Sequence, residues 1–225
     1  MNRHIAIYLL TAFVLFSACG DGRNGRFAAW LEGTDSLMRT RPDSAYALLE
    51  GMKDTAGMLP LSLRMRYHLL HAKAQNKAYV DFTTDSLLLS LTDYYDRHGT
   101  PNEQMLAYYL LGCTYRDMGE APKAIESYPT ALDRVDTTVE DCDYYDLSRV
   151  YAQMATTFHQ QNLPEDELRA RRMYEKYAWK AKDTLDALIA YANRANAYDI
   201  LHQLDSVLQM GYRGYRRFLE YWYRK

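Results

Sequence analysis

Cysteine is nearly missing from this chain: three in 225 residues, at positions 19, 113 and 142, too few for a disulfide framework. Proline and phenylalanine are sparse at 6 each, and 11 glycines exclude collagen-like and glycine-rich low-complexity readings. Neither sign of charge prevails. Twenty-seven Lys and Arg against 29 Asp and Glu leave a formal charge of −2, without the basic excess that backbone binding to DNA or RNA needs, so nucleic acid is not an expected partner. Long apolar runs are also lacking: Ile5 to Phe16 spans 12 residues, where a membrane-crossing helix needs about 20. What abounds is tyrosine, 21 of them, which calls for many flat, half-buried side chains with a polar tip. With 48% hydrophobic and 25% charged residues, the composition is globular, and the length is enough to bury a core without covalent staples.

The first residues read as an address. Met1-Asn2-Arg3-His4 is a short basic start, Ile5–Phe16 fits the apolar region of a secretory signal, and Ser17-Ala18-Cys19 follows at once. This resembles a bacterial lipoprotein signal, with Phe16 where Leu or Val is commoner. The resemblance implies that 1–18 are removed and that Cys19 is acylated, with palmitate-type chains, as the mature N-terminus. It also implies a membrane anchor in the cell envelope, at the outer membrane or its periplasmic face. Gly20, Gly22 and Gly25 suggest a flexible tether over 19–26, leaving 27–225 as the folded domain.

From Phe27 onward apolar residues recur at helical spacing, with turn signals every 12 to 20 residues and no long alternating runs. The pattern predicts an all-α chain, an α/α superhelix of five antiparallel hairpins: 27–39 with 43–53, 61–78 with 84–98, 102–118 with 121–134, 143–161 with 165–181, and 184–202 with 205–222. The stops carry capping side chains, early prolines or glycines, as in Arg41-Pro42-Asp43-Ser44, Gly99-Thr100-Pro101 and Leu163-Pro164-Glu165.

Self-comparison decides the architecture. In the third hairpin Tyr108, Leu111, Gly112 and Tyr115 precede Gly119, Ala124, Tyr128 and Ala131. Gly112 and Ala124 leave room for two helices to approach, and Tyr115 and Tyr128 fill the space beside them. The spacing resembles the tetratricopeptide repeat, lacking only its terminal proline, where Asp136 stands. Weaker copies follow at Tyr151-x2-Met154-Ala155-x2-Phe158 and at Tyr191-x3-Ala195-x2-Tyr198, where Arg194 replaces a leucine and Val207 takes an alanine slot. In the fourth hairpin Ala170, Tyr174 and Tyr177 fit the second helix if about three extra residues sit near Leu163. Pro129, inside a second helix, is expected to kink or bulge it. Phrases such as Arg41-Pro42-Asp43-Ser44-Ala45 and Gln161-Asn162-Leu163-Pro164-Glu165 resemble a family of tetratricopeptide lipoproteins common in Bacteroidota. Some members continue into further repeats, a membrane helix and a cytoplasmic DNA-binding module, none of which follows here. The alternative this leaves is a shortened sensory ectodomain of a tetratricopeptide-containing transcription regulator.

Nucleophile elbows, phosphate-cradling loops and paired metal-ligand motifs are absent from the sequence, so no catalysis, cofactor or metal is expected. His68 and His71 sit three apart without nearby acidic ligands, and Glu140-Asp141-Asp143-Asp146 reads as the acidic start of a helix. Cys113 reads as a small buried residue. Counting from the glycine slot, the residues expected on the surface lined by first helices are His68, Gln75, Tyr109, Arg116, Arg149, Thr156, His159, Asn196 and Asp199. Their mixed polarity suits a protein or peptide segment as the partner. Glu103, on the outer start of a helix, is expected to be indifferent to substitution. Tyr215, Phe218, Leu219 and Trp222 share one face of the last helix, which is expected to be partly exposed and to permit self-association.

Overall fold

The computed structural model describes residues 22–223; the expected signal and Cys19 lie outside them. Among the described residues every regular element is helical and none is a strand. Two compact units form, one ending at Val80 and one starting at Asp81.

The first unit holds α1 (22–37), α2 (Pro42–Glu50), α3 (Lys53–Ala56) and α4 (Leu61–Lys77). Leu31, Met38, Ala45, Leu49, Tyr67, Leu70 and Ala74 form its core, with Phe27 and Trp30 packed against it. The buried Tyr67 hydroxyl donates to the Leu49 carbonyl at 2.9 Å, and Lys73 pairs with Asp35 at 3.0 Å, tying α4 to α2 and α1. Residues 22–26, expected as part of a flexible tether, are instead the first turns of α1. Arg23 and Arg26, exposed on the outer side of these turns, join Phe27, Trp30, Met52 and Met58 at the lining of a mostly apolar cavity of about 350 Å³. Residues 19–21 are outside the described part. The helix expected to reach 53 ends at Glu50, where Gly51 and Met52 turn the chain into α3.

The second unit holds α5 (Ser86–His98), α6 (Pro101–Asp117), α7 (Ala121–Asp133), α8 (Tyr144–Gln160), α9 (Pro164–Lys180), α10 (Thr184–Ala192), α11 (Arg194–Ile200) and α12 (Leu204–Trp222). Helices pack in chain order, α5 on α6, α6 on α7, α7 on α8, α8 on α9, then α9 on α10 and α11, which in turn pack on α12. The expected 184–202 helix is broken at Asn193 into α10 and α11. At that break Arg194 turns to Glu175 on α9, an ion pair in the slot where the repeat calls for leucine. The α7 assignment runs unbroken through Pro129. Thr100 and Glu103 close a capping box at the start of α6, so Glu103 is not the indifferent surface residue its position suggested.

One turn recurs five times. The amides of Val80, Glu120, Leu163, Asp183 and Gln203 donate to the carbonyls of Gln75, Tyr115, Phe158, Ala178 and Tyr198, each closing a helix over a residue in the left-handed region. Only Gly119 is a glycine there; Tyr79, Asn162, Lys182 and His202 take φ between 55° and 59°. Within the second unit this shared turn leads directly into α7, α9, α10 and α12 and sets their phase. The α6–α7 and α8–α9 connections are both three residues long, 118–120 and 161–163. The three extra residues expected near Leu163 are therefore not there. With the turns aligned, the fourth hairpin places Glu167 where the third has Ala124, and Arg171 where it has Tyr128.

That substitution of types is satisfied internally. Glu167, fully buried, accepts from Arg171 Nε at 2.8 Å and lies 2.9 Å from His159 Nδ1. In the third hairpin the same space is apolar: a Cβ on Gly112 would fall 2.5 Å from the buried Tyr128 ring, the close approach that its spacing anticipated. The tyrosines do the packing expected of them, Tyr144 and Tyr151 each stacking on Tyr177 and Tyr67 and Tyr128 wholly enclosed.

Candidate functional site

The first helices of the second unit carry a row of polar side chains built by the phase described above. From α6, Arg116 donates to Asp117 Oδ1 through Nε at 2.9 Å and to the Gln153 side-chain oxygen on α8. One turn earlier on α8, Arg149 donates to Asp186 Oδ2 on α10 at 3.0 Å and reaches the Tyr174 hydroxyl at 3.4 Å. Arg149 and Gln153 are four residues apart and so share a helix face. Arg116–Gln153 and Arg149–Asp186 thus link three consecutive first helices, α6, α8 and α10. The two arginine side chains are 20% and 28% exposed, and each guanidinium has five N–H donors, more than these partners occupy.

The residues expected on this face divide. Arg116 and Arg149 are joined to it, and Asn196 and Asp199 are exposed on α11. Thr156 is half-buried and its hydroxyl donates back to the Ala152 carbonyl. His159 is exposed but held by Glu167. Tyr109 is a correction: it is only 5% exposed, inside the unit beside Cys113 and Arg149, and burial pushes its phenol well above the ordinary value. Its expected surface position fails because α8 packs directly over α6 at that level. His68 and Gln75 belong to the first unit, both half-buried. Burial first, then the charges of His71 and Arg64, holds the His68 imidazole below its usual pKa. His71 packs between Tyr46 and Tyr67 with Nε2 2.6 Å from Glu50 Oε1, an acidic neighbour distant in sequence.

Gln153, Asp186 and Tyr174 were not anticipated, although two signals point to them: Gln153 follows Arg149 by one turn, and Asp186 sits in the first turn of α10. The Asp143 side chain caps α8 by accepting from the Asp146 amide, the role read for the acidic cluster. Burial pushes the Cys113 thiol up to about 11, which leaves it a packed, protonated group at neutral pH. Cys113 and Cys142 are both free and buried. Among the described residues no group of three His, Cys, Asp or Glu side chains is placed to hold a metal ion, and no helix is long and apolar enough to cross a membrane.

The chain matches no protein-family model, and no curated protein matches it. Among solved structures it is similar to a putative kinesin light chain from Podosopora anserina with nearly identical TPR-like repeats. The identity is 13%, with 88% of this chain and 97% of that chain covered, at a TM-score of 0.62. A point-substituted form of that protein gives the same identity and TM-score over 86% and 95%. BtubC (BKLC) from P. vanneervenii is similar at 17% identity over 87% of this chain and 72% of that one, with a TM-score of 0.53. At these identities the likeness is one of fold, and the fold is that of a tetratricopeptide-like helical repeat.

Proposed function

We propose that this chain is a non-catalytic helical-repeat scaffold that holds an extended protein or peptide segment along the first helices of its repeats. We place it in the bacterial cell envelope, tethered through acyl chains on Cys19, as a tetratricopeptide lipoprotein of the Bacteroidota type. The observation that carries the binding role is the row of Arg116, Gln153, Arg149 and Asp186 across α6, α8 and α10. It offers spare cationic donors beside carboxylate and amide groups at successive levels, which suits the alternating carbonyls and amides of an extended backbone. The Ser17-Ala18-Cys19 sequence after a short apolar run supports the tether.

The test uses the full chain expressed in a bacterial host and recovered from membranes with its cross-linked partners. Arg149→Ala and Arg116→Ala, checked for retained helicity, are expected to lower recovery of the same partners at least about tenfold, the loss of one to two charge-assisted hydrogen bonds. Unchanged recovery would refute the face. Independently, Cys19→Ser is expected to leave the membrane fraction or accumulate uncleaved; normal processing with unchanged membrane attachment would refute the tether.

A further inference from the structure

Helix α12 presents two different faces. Met210 and Gly214 are buried against α10, where a Cβ on Gly214 would stand 3.6 Å from that of Ala192. Arg217 lies on the same side, 4.2 Å from the Tyr191 ring centroid and 3.6 Å from Glu175. About a third of a turn away runs a second row: Leu204, Leu208, Gly211, Tyr215, Phe218 and Trp222, spaced alternately by four and three residues. Its large members are 65%, 72%, 65%, 40% and 69% exposed in chain order, and nothing lies within 4 Å of a Cβ on Gly211. This seam differs from the face expected from sequence, since it begins at Leu204, while Leu219 is half-buried at its edge.

We propose that this seam is a dimerisation surface on which two copies of the chain pack their α12 helices antiparallel. The occupant follows from the order of side chains along the seam. Its N-terminal half is aliphatic and small, its C-terminal half aromatic. Antiparallel packing sets Leu204 against Trp222 of the second copy, Leu208 against Phe218, and Gly211 against Tyr215, so each large ring meets a smaller residue. A parallel pair would stack Trp222 on Trp222 and leave the two Gly211 positions facing each other across a gap. The seam exposes about 700 Å² per copy, taking 150–250 Å² for each full aromatic and somewhat less for each leucine, so a dimer that covers all of it buries at most about 1,400 Å², within the range of standard stable interfaces. A helix lying on a lipid surface needs no such pairing of sizes along its apolar row.

The full chain in non-ionic detergent is expected to sediment as a dimer at micromolar concentration. Leu208→Glu combined with Phe218→Glu should weaken association at least about 100-fold by placing charges in the seam, with helicity unchanged because both side chains are exposed in the single chain. Orientation is read in membranes by mixing Leu204→Cys and Trp222→Cys copies under mild oxidation, with wild type setting the background. Cross-linking is expected only in the mixture. Overturning results are a monomer throughout the concentration range, a dimer indifferent to the two glutamates, or Leu204→Cys copies that cross-link to one another. Seam-dependent cosedimentation of a monomer with phosphatidylethanolamine–phosphatidylglycerol vesicles would likewise overturn the dimer in favour of a lipid surface.

Discussion

Replacing Gly112 by alanine adds a single carbon, and the structure says where it goes. The new Cβ would stand 2.5 Å from Cε1, 2.7 Å from Cδ1 and 3.1 Å from Cζ of Tyr128, whereas carbon atoms in contact settle at about 3.5–4.0 Å. The ring would have to retreat by about 1 Å, yet Tyr128 is fully buried between α6 and its neighbours and has no open side to move into. Overpacking of this kind costs about 1–3 kcal/mol, partly offset by about 1 kcal/mol from the better helix propensity of alanine. The net expected loss is up to about 2 kcal/mol, or up to several degrees in melting temperature for a chain of this size. Gly33 provides the contrast, being helical and exposed with nothing within 4 Å of its Cβ. Gly33→Ala is expected to gain up to about 1 kcal/mol. Denaturant midpoints followed by circular dichroism compare the two, and a cycle with Tyr128→Leu should return a coupling of about 1–2 kcal/mol. A Gly112→Ala chain as stable as Gly33→Ala, or a cycle with no coupling, would refute the close-approach account of this hairpin.

Two further expectations rest on other groups. Glu167→Ala leaves the buried Arg171 without its carboxylate and should cost about 3–5 kcal/mol, whereas Glu167→Ala with Arg171→Tyr, together with Ala155→Gly to open the slot that Gly112 provides in the preceding hairpin, restores the Ala124–Tyr128 solution and should recover most of it, as judged by denaturant midpoints. A triple variant no more stable than Glu167→Ala alone would contradict the alignment of the two hairpins. His68 is held below the ordinary 6.5, so below that pH the unfolded chain binds a proton that the folded chain resists. Its contribution to stability is present above pH 6.5 and is lost as the pH falls toward the lower folded value. His68→Gln is therefore expected to flatten the stability loss of the first unit between about pH 7 and 5; an unchanged slope by thermal melts at the two pH values would exclude it.

What the sequence determined by itself is whatever depends on neighbours a few residues away. The helical period, the cap at Thr100, the prolines at helix starts and the pairing of Gly112 with Tyr128 are all properties of short spacings, and together they identified the repeat. The C-terminal stops were only half legible. Gly119 announces its left-handed turn and Asn162 tolerates one, but Tyr79, Lys182 and His202 adopt the same backbone without glycine, each under the same closing hydrogen bond. That closure set the phase of α9, and with it the exchange of Ala124 and Tyr128 for Glu167 and Arg171, which sequence spacing alone had assigned to an insertion.

Tertiary structure alone decided which polar residues face outward. Tyr109 and Arg116 lie on the same helix two turns apart, and α8 covers one while leaving the other partly open. Gln153 and Asp186, which join Arg116 and Arg149 to the next first helix, each stand 37 residues away in the chain. For α12 the division is sharper. Its amphipathic rows are written in the sequence, but only the packing of Met210, Gly214 and Arg217 against the preceding helices shows which row is core and which, from Leu204 to Trp222, is left for another surface. A helix carries its periodicity in its own residues, whereas the side it buries is chosen by the helices it meets.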